Sequence, residues 1–345
     1  KLNMSLKNLS VKNKIPKFYK NKLNNKKIKK IYERFEKFSN IDEDFIVAVS
    51  GGPDSLALAF LAKIYSIKKN LISKFFIVDH KLRSRSTLEA NVVKQVLKRN
   101  LIKCEILTWK GRKPTKNIQS LARKKRYQLL FAECDKSKIN NILLGHHKDD
   151  LLENFFMRIA RGSGLKGLVS LDKKNKINGK TLIRPLLDQK KEDLVFISKK
   201  VFNFYVQDPS NENEKFQRIK IRKLIKELKK NGFDKQKLSH TIKNLKYSNT
   251  VIDYYVNENL KKNTFFSTKN YQLILNNSFF QQPYEVVFRS FSDSIKLIGK
   301  KYYAARGKKL DKIIVDIQNN RLSKATLGGC FIEKVQQTVI ISKEY

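Results

Sequence analysis

Phe45-Ile-Val-Ala-Val-Ser50-Gly51-Gly52-Pro53-Asp54-Ser55 is the stretch on which the fold turns. Its first half is a nearly unbroken apolar run, as a strand buried on both faces of a parallel sheet requires. Leu56 to Ile67 then reads as a helix, so the hexapeptide Ser50 to Ser55 is a strand-to-helix turn at the carboxyl edge of a sheet. Open α/β folds bind ligands there. Two glycines let the backbone approach an anion closely, the exposed amides and the helix N-terminus favour negative charge, and Ser50 and Ser55 add hydroxyl donors. The hexapeptide is a phosphate cradle. It lacks the GxxxxGK[ST] pattern and its lysine, so it is not a Walker loop. A bare carboxylate at Asp54 would repel phosphates, and the residue makes chemical sense as a holder of Mg²⁺ against them.

Outward from this stretch, strands and helices alternate. Lys27 to Ser39 carries apolar residues at helical spacing (Ile28, Ile31, Tyr32, Phe35, Phe38), and Phe75 to Asp79 is a second buried strand. Ser86 to Asn100 is a helix, Ile102 to Thr108 a third strand, Asn117 to Lys136 a basic amphipathic helix, Ile142 to Gly145 a fourth strand, and Asp149 to Arg161 a further helix. The fold class is therefore α/β, a doubly wound, mostly parallel sheet. Past about residue 215 the character changes. Gln217 to Lys230 and Asp234 to Leu260 are helical and basic, and β signals return from Tyr271, ending in a hairpin of Cys330 to Val335 and Thr338 to Ser342. The expected organisation is a basic, solvated arm over 1–25, a catalytic domain over 26–215, a helical connector over 216–262, and a small α+β C-terminal domain over 263–345.

The 345 residues include 74 Lys+Arg against 31 Asp+Glu, a net charge of +43 that attracts polyanions. Most of the cations are lysines accompanied by many Asn and Ile, a composition that AT-rich coding alone can generate. Hydrophobic residues at 41% and charged residues at 30% fit a soluble globular chain, and no apolar run is long enough to span a membrane. Cys104, Cys134 and Cys330 stand singly, which draws neither a disulfide framework nor a CxxC pair and points to a reducing cytoplasm. The first thirty residues carry no apolar core of a secretory signal.

Three further clusters carry chemistry. Asp150 and Glu153 are three apart, so on a helix both carboxylates share a face, with His146 just before it. Such a cluster suits a metal, proton handling or an ammonium, while first-turn acids also complement the helix dipole. Arg123-Lys-Lys-Arg126 places four cations in a row, which cannot share one helix face; Arg123 and Arg126 can, and either could neutralise charge on departing pyrophosphate. Asp79 and His80 end the second strand, as a cap or as a nucleotide contact.

The hexapeptide matches the SGGxDS signature of the PP-loop ATP pyrophosphatases. Val78-Asp-His-Lys-Leu-Arg83, Gly145-His-His-Lys-Asp-Asp-Leu-Leu-Glu153 and Arg161-Gly-Ser-Gly-Leu-Lys-Gly-Leu168 resemble, in order, segments of the tRNA(Ile)-lysidine synthase family within that superfamily. Arg184-Pro-Leu-Leu187, Asp208-Pro-Ser-Asn211, Arg218 and Ile221-Arg222 resemble its later segments, with a weaker echo at Thr326 to Gly329. The resemblance implies a ligase that uses ATP and Mg²⁺. ATP would adenylate the C2 oxygen of the wobble cytidine of tRNA(Ile) with anticodon CAU, and L-lysine would then displace AMP to give lysidine. By that resemblance His146, Asp150 and Glu153 belong to the site where the nucleotide base, ATP and lysine meet; beside it, Ser50 to Ser55, Asp79 and His80 are expected to contact ATP, and Asp54, Arg126, His146, Asp150 and Glu153 to be the catalytic residues. Arg158, Arg161, Lys166, Arg218 and Arg222 are the tRNA-contact candidates, joined by Lys220 and Lys223, and the C-terminal domain is a further one. A tRNA thiolase of the same superfamily is the alternative, disfavoured by the absence of paired cysteines. A non-catalytic, nucleotide-sensing RNA-binding protein is another, and turnover separates it. Oligomeric state is not legible, with a homodimer left open.

Overall fold

The computed structural model describes residues 15–111, 117–207, 217–300 and 307–344. Two compact units divide the chain, Lys1–Leu238 and Ser239–Tyr345.

The first unit opens with α1 (Lys17–Leu23) and α2 (Lys26–Ser39), whose Asn25 side chain caps it by accepting from the Lys27 and Ile28 amides. The arm expected over 1–25 is thus not wholly a solvated tail. Tyr19 of α1 is fully buried in the main core, and its hydroxyl donates to the carbonyls of Asn100 (3.0 Å) and Leu101 (3.1 Å). One buried aromatic is enough to anchor a lysine-rich helix. Tyr19→Ala is expected to cost about 3–5 kcal/mol of stability, the range for deleting a buried aromatic side chain, with Tyr19→Phe costing far less. Urea unfolding of the three proteins measures it; an unchanged midpoint in the alanine variant would detach α1 from the core.

The alternation then runs β1 (Phe45–Val49), α3 (Pro53–Lys69), β2 (Ser73–Asp79), α4 (Ser86–Arg99), β3 (Cys104–Thr108), α5 (Ile118–Ser137), β4 (Asn141–Leu143) and α6 (Lys148–Ile159). α7 (Leu165–Leu168), the hairpin β5 (Lys174–Ile177) and β6 (Lys180–Ile183), α8 (Lys191–Phe202) and α9 (Gln217–Lys230) follow. The sheet order is β3-β2-β1-β4-β6-β5, parallel except for β5 against β6. Strand order reverses between β1 and β4, so the open crevice at their carboxyl ends is where such a sheet holds ligand.

The two faces are covered unequally. Val47, Val49, Phe75, Ile77 and Leu143 pack with residues of α2, α3, α4 and α8. The opposite face, with Ile46, Phe76, Ile142, Leu144 and Leu182, meets α5 through Leu130 and Cys134. Period-two alternation along each strand makes these two sets.

The second unit contains the rest of α10 (Lys235–Asn263), then β7 (Thr264–Ser267), β8 (Gln272–Leu275), α11 (Asn277–Phe280), α12 (Tyr284–Gly299), α13 (Gly307–Gln318), β9 (Lys324–Leu327), β10 (Cys330–Val335) and β11 (Thr338–Lys343). Its sheet is antiparallel in the order β7-β8-β11-β10-β9, over a core that includes Phe279, Phe291, Ile295, Ile314 and Ile341. The hairpin of β10 and β11 stands where the sequence places it, but the return to β structure is interrupted by α12 and α13. The stretch 216–262 is shared between the units, since α9 lies wholly in the first and α10 enters both. Among the described residues no helix is long and apolar enough to cross a membrane.

Candidate active site

The turn after β1 is tied down by its own serines. Ser55 Oγ accepts from the Ser50 amide (3.1 Å), meets Ser50 Oγ at 3.2 Å and donates to the Gly52 carbonyl (3.0 Å). Gly51 has φ +83°, and a Cβ there would stand 2.6 Å from Val93 Cγ2, so a side chain is excluded on both counts. Gly52 caps α3 without a side chain and Pro53 is its first residue, leaving the first-turn amides to face an anion. Gly145, after β4, brings that strand end against this helix start; a Cβ would lie 3.3 Å from the Ser55 amide nitrogen.

Asp54, in the first turn of α3, lies 3.5 Å through Oδ2 from His147 Nε2, while its buried Oδ1 has no hydrogen-bond partner among the described residues. His147 is 2% exposed and caps α6. Its Nδ1 accepts from the Asp149 amide (3.2 Å), and its own amide donates to Asp150 Oδ2 (2.9 Å). The ring proton therefore sits on Nε2, which faces Asp54 and, at 3.5 Å, Asp150 Oδ2. Burial opposes charge on this ring, but the Asp54 hydrogen bond and the Asp150 carboxylate outweigh it and raise its pKa. A second proton on Nδ1 would have to break the cap.

α9 packs along α6 and places two arginines on its carboxylates. Arg218 Nε meets Glu153 Oε2 at 2.5 Å and its Nη2 meets Asp150 Oδ1; Arg222 Nε meets Glu153 Oε1 at 2.6 Å. Asp150 is buried, which disfavours its charge, yet His147 and Arg218 hold its pKa below the ordinary value. The structure thus puts Arg218 and Arg222, expected at a tRNA surface, onto the carboxylate cluster. The sequence names His146 and passes over His147, which the structure also brings to Asp150. The signal was present: His147-x-x-Asp150 has capping-box spacing directly before an acidic first turn.

His146 follows β4, with Arg123 of α5, Arg184, Arg218 and Asp150 among the charges that act on it. Burial, offset in part by Asp150 and reinforced by Arg184, Arg123 and Arg218, pushes its ring down to about 3. Arg184, after β6, is 5% exposed; its Nη1 donates to the Asp172 carbonyl (2.7 Å) and Asn175 Oδ1 (2.5 Å), and its Nε has no partner among the described residues.

Asp79 turns the other way. Its carboxylate accepts from the Lys81 amide (2.9 Å), Ser86 Oγ (2.8 Å) and Thr87 Oγ1 (2.6 Å), fastening the start of α4. Burial works against its charge, but those donors prevail and hold its pKa below the ordinary value. The capping alternative is therefore what its carboxylate does in this chain. His80 instead meets Arg126, whose Nε donates to its Nε2 at 3.5 Å. Burial and that guanidinium push His80 from 6.5 down to about 4. Arg158, Arg161 and Lys166 surround the turn from α6 to α7, where Gly162 has φ +65°; Arg161 and Lys166 are exposed, and Arg161 reaches Gln217 Oε1 (2.9 Å). Asp208 to Asn211 lie outside the described residues.

The depressed histidines give a pH dependence. Unfolded imidazoles take their proton near 6.5, whereas folded His80 and His146 do so only near 4 and 3. The unfolded state therefore binds more protons on acidification, and their stabilisation, full above 6.5, is lost as pH falls toward 4. His147, raised, runs in the opposite sense. The expected result is that His80→Gln/His146→Gln flattens the loss of unfolding free energy between pH 7 and 5; an unaltered slope in urea melts contradicts it.

The PP-loop domain family matches residues 20–228 of the chain. The tRNA(Ile)-lysidine synthase of Wolbachia sp. subsp. Brugia malayi (strain TRS) is 32% identical over 314 residues, covering 89% of this chain and 72% of that protein. The tRNA(Ile)-lysidine synthase of Orientia tsutsugamushi (strain Boryong) is 33% identical over 324 residues, covering 90% and 72%. Among solved structures, the U34-tRNA thiolase NcsA from Methanococcus maripaludis with its [4Fe-4S] cluster superposes with a TM-score of 0.55 at 18% identity, over 64% of this chain and 78% of that one. At that identity the likeness is one of fold.

Proposed function

The chain belongs to the tRNA(Ile)-lysidine synthase family of PP-loop enzymes, and on that premise we propose how its residues divide a two-step ligation. ATP first adenylates the C2 oxygen of the wobble cytidine of tRNA(Ile) with anticodon CAU, releasing pyrophosphate. The ε-amine of L-lysine then attacks C2, the C–O bond to AMP breaks, and the amine proton passes to the protein or to water.

The amides at the start of α3 and the Ser50–Ser55 turn receive the phosphates. The observation that carries the reading is Asp54: a buried carboxylate oxygen beside that turn without a hydrogen-bond partner among the described residues, with His147 on its other oxygen. A carboxylate left open next to a phosphate cradle fits Mg²⁺, which binds through one or two carboxylates plus substrate phosphates and would neutralise the departing pyrophosphate. His147 orients Asp54 and Asp150 together through its Nε2 proton. Arg123 and Arg126 on α5 supply positive charge on the side opposite α3. Asp150 and Glu153 bind lysine, which must share or displace the Arg218 and Arg222 guanidiniums now on them. Arg158, Arg161, Lys166 and the second unit take the RNA backbone.

The thiolase alternative is not supported. Among the described residues Cys104, Cys134 and Cys330 form no disulfide, and they are buried in three different cores, the first two on opposite faces of the sheet. Buried thiols without disulfides also fit the reducing cytoplasm we assign to the protein. The test is incubation with ATP, radiolabelled lysine and transcribed tRNA(Ile) bearing CAU, beside a tRNA(Met) control. Label in the first RNA alone is expected; label in neither, with folded protein, overturns the reading.

A further inference from the structure

The site described so far provides for the phosphates and for an ammonium but not for a nucleotide base. The register of β2 and β3 pairs Val78 with Leu107 and Asp79 with Thr108, and the Trp109 amide continues the pairing by donating to the Asp79 carbonyl at 2.9 Å. The next two residues, His80 and Trp109, therefore stand side by side just past the carboxyl ends of their strands. Period two puts them on the face that carries Phe76, Val78 and Leu107, which is the face covered by α5. Their rings meet at right angles, centroids 6.3 Å apart. Arg126 of α5 stands at the same place with its Nε on His80 Nε2.

The donor geometry fixes the His80 tautomer. A guanidinium has no lone pair to accept with, so Nε2 is the acceptor and the ring proton sits on Nδ1. That Nδ1 is buried and, among the described residues, has no hydrogen-bond partner. A half-buried indole, a buried donor without an acceptor and a guanidinium thus converge at one corner of the sheet edge. A flat, π-faced ligand with acceptor nitrogens answers all three, which is the chemistry of a nucleobase.

We propose that Trp109 is the stacking platform for the purine base of the nucleotide, with the His80 Nδ1–H as a donor to that base; the proposal rests on the nucleotide reading of the Ser50–Ser55 turn. The order of strands selects this base over the reacting cytidine. From β3 the edge runs Trp109, His80, then the phosphate turn after β1, then His146 after β4 and the Asp150/Glu153 helix. β3 lies two strands from β1, about 10 Å at ordinary strand spacing, on the side away from the carboxylates. The cytidine must meet both the α-phosphate and the lysine, so it belongs on the β4 side. The base of the nucleotide takes the other.

Trp109 is the only tryptophan of the chain, so intrinsic fluorescence reads this site directly. The full chain is titrated with α,β-methylene-ATP, with methylenediphosphonate as phosphates lacking a base, and with an anticodon stem-loop RNA bearing CAU. A saturable change is expected with the first and none with the second. Equilibrium dialysis of radiolabelled analogue should show Trp109→Leu weakened about tenfold or more and Trp109→Phe recovering most of the loss. If the Leu variant, folded by its melting curve, binds as wild type does, the stacking proposal falls while the nucleotide site stands. If the analogue binds without a fluorescence change and the RNA alone produces one, the seat belongs to an RNA base and the proposal is overturned. If dialysis finds no analogue bound to wild type, the reading of the phosphate turn fails first.

Discussion

Asp54→Asn is expected to cut tRNA-dependent pyrophosphate release by about a hundredfold or more while leaving the melting temperature nearly unchanged. The substitution is isosteric, and in this chain the carboxylate makes no bond on which the fold depends. Among the described residues its Oδ1 has no hydrogen-bond partner, and its Oδ2 faces His147 Nε2 at 3.5 Å. An Asn carbonyl can still accept from that ring, so the cap of α6 survives. What is lost is the negative charge beside the amides of α3, and with it, on the proposed role of Asp54, the capacity to hold Mg²⁺ against phosphates at those amides. Removing an acid from an anion site would by itself strengthen phosphate binding. The sign of the effect is therefore diagnostic. Release near the wild-type rate, or tighter nucleotide binding with full turnover, would remove the metal role from Asp54.

How far the sequence carries depends on the range over which each feature is determined. β1 and its turn were legible because a strand buried on both faces is apolar throughout and the turn after it is a local signature. The choice between His146 and His147 was not made by motif, since both stand in the same segment. The capping geometry holds His147 between Asp54 and Asp150, while His146 interacts electrostatically with the same Asp150. Arg218 and Arg222 were legible as cations but not as partners. Their four-residue spacing on α9 matches the three-residue spacing of Asp150 and Glu153 on α6, yet only the packing of the two helices brings the pairs together. α12 was hidden by Val286-Val287-Phe288, which reads as strand locally. The wider period of Val287, Phe291, Ile295 and Ile298, all buried in the second core, is helical. Tyr19 was hidden by the lysines around it.

Glu153→Gln separates the two half-reactions. Glu153 is 4% exposed and its two oxygens are divided between Arg218 and Arg222. Lysine brings two ammonium groups near neutral pH, and its ε-amine must lose a proton before it can attack. The buried Asp150/Glu153 pair on one helical face can hold one ammonium and draw the proton from the other, but only by competing with the arginines already there. Gln keeps the size and the hydrogen-bonding shape of Glu and removes the charge on which this competition depends. The lysine KM is expected to rise about tenfold or more, the worth of roughly 1.4 kcal/mol of lost attraction in a partly desolvated site. ATP–pyrophosphate exchange driven by tRNA without lysine should stay close to wild type, because Glu153 lies on α6 while the proposed phosphate site is the start of α3. Both quantities are measured on the same preparation, with a thermal melt to show that Arg218 and Arg222 tolerate the loss of their partner. A collapsed exchange with an unchanged lysine KM places the pair in the adenylation step and takes lysine binding away from it.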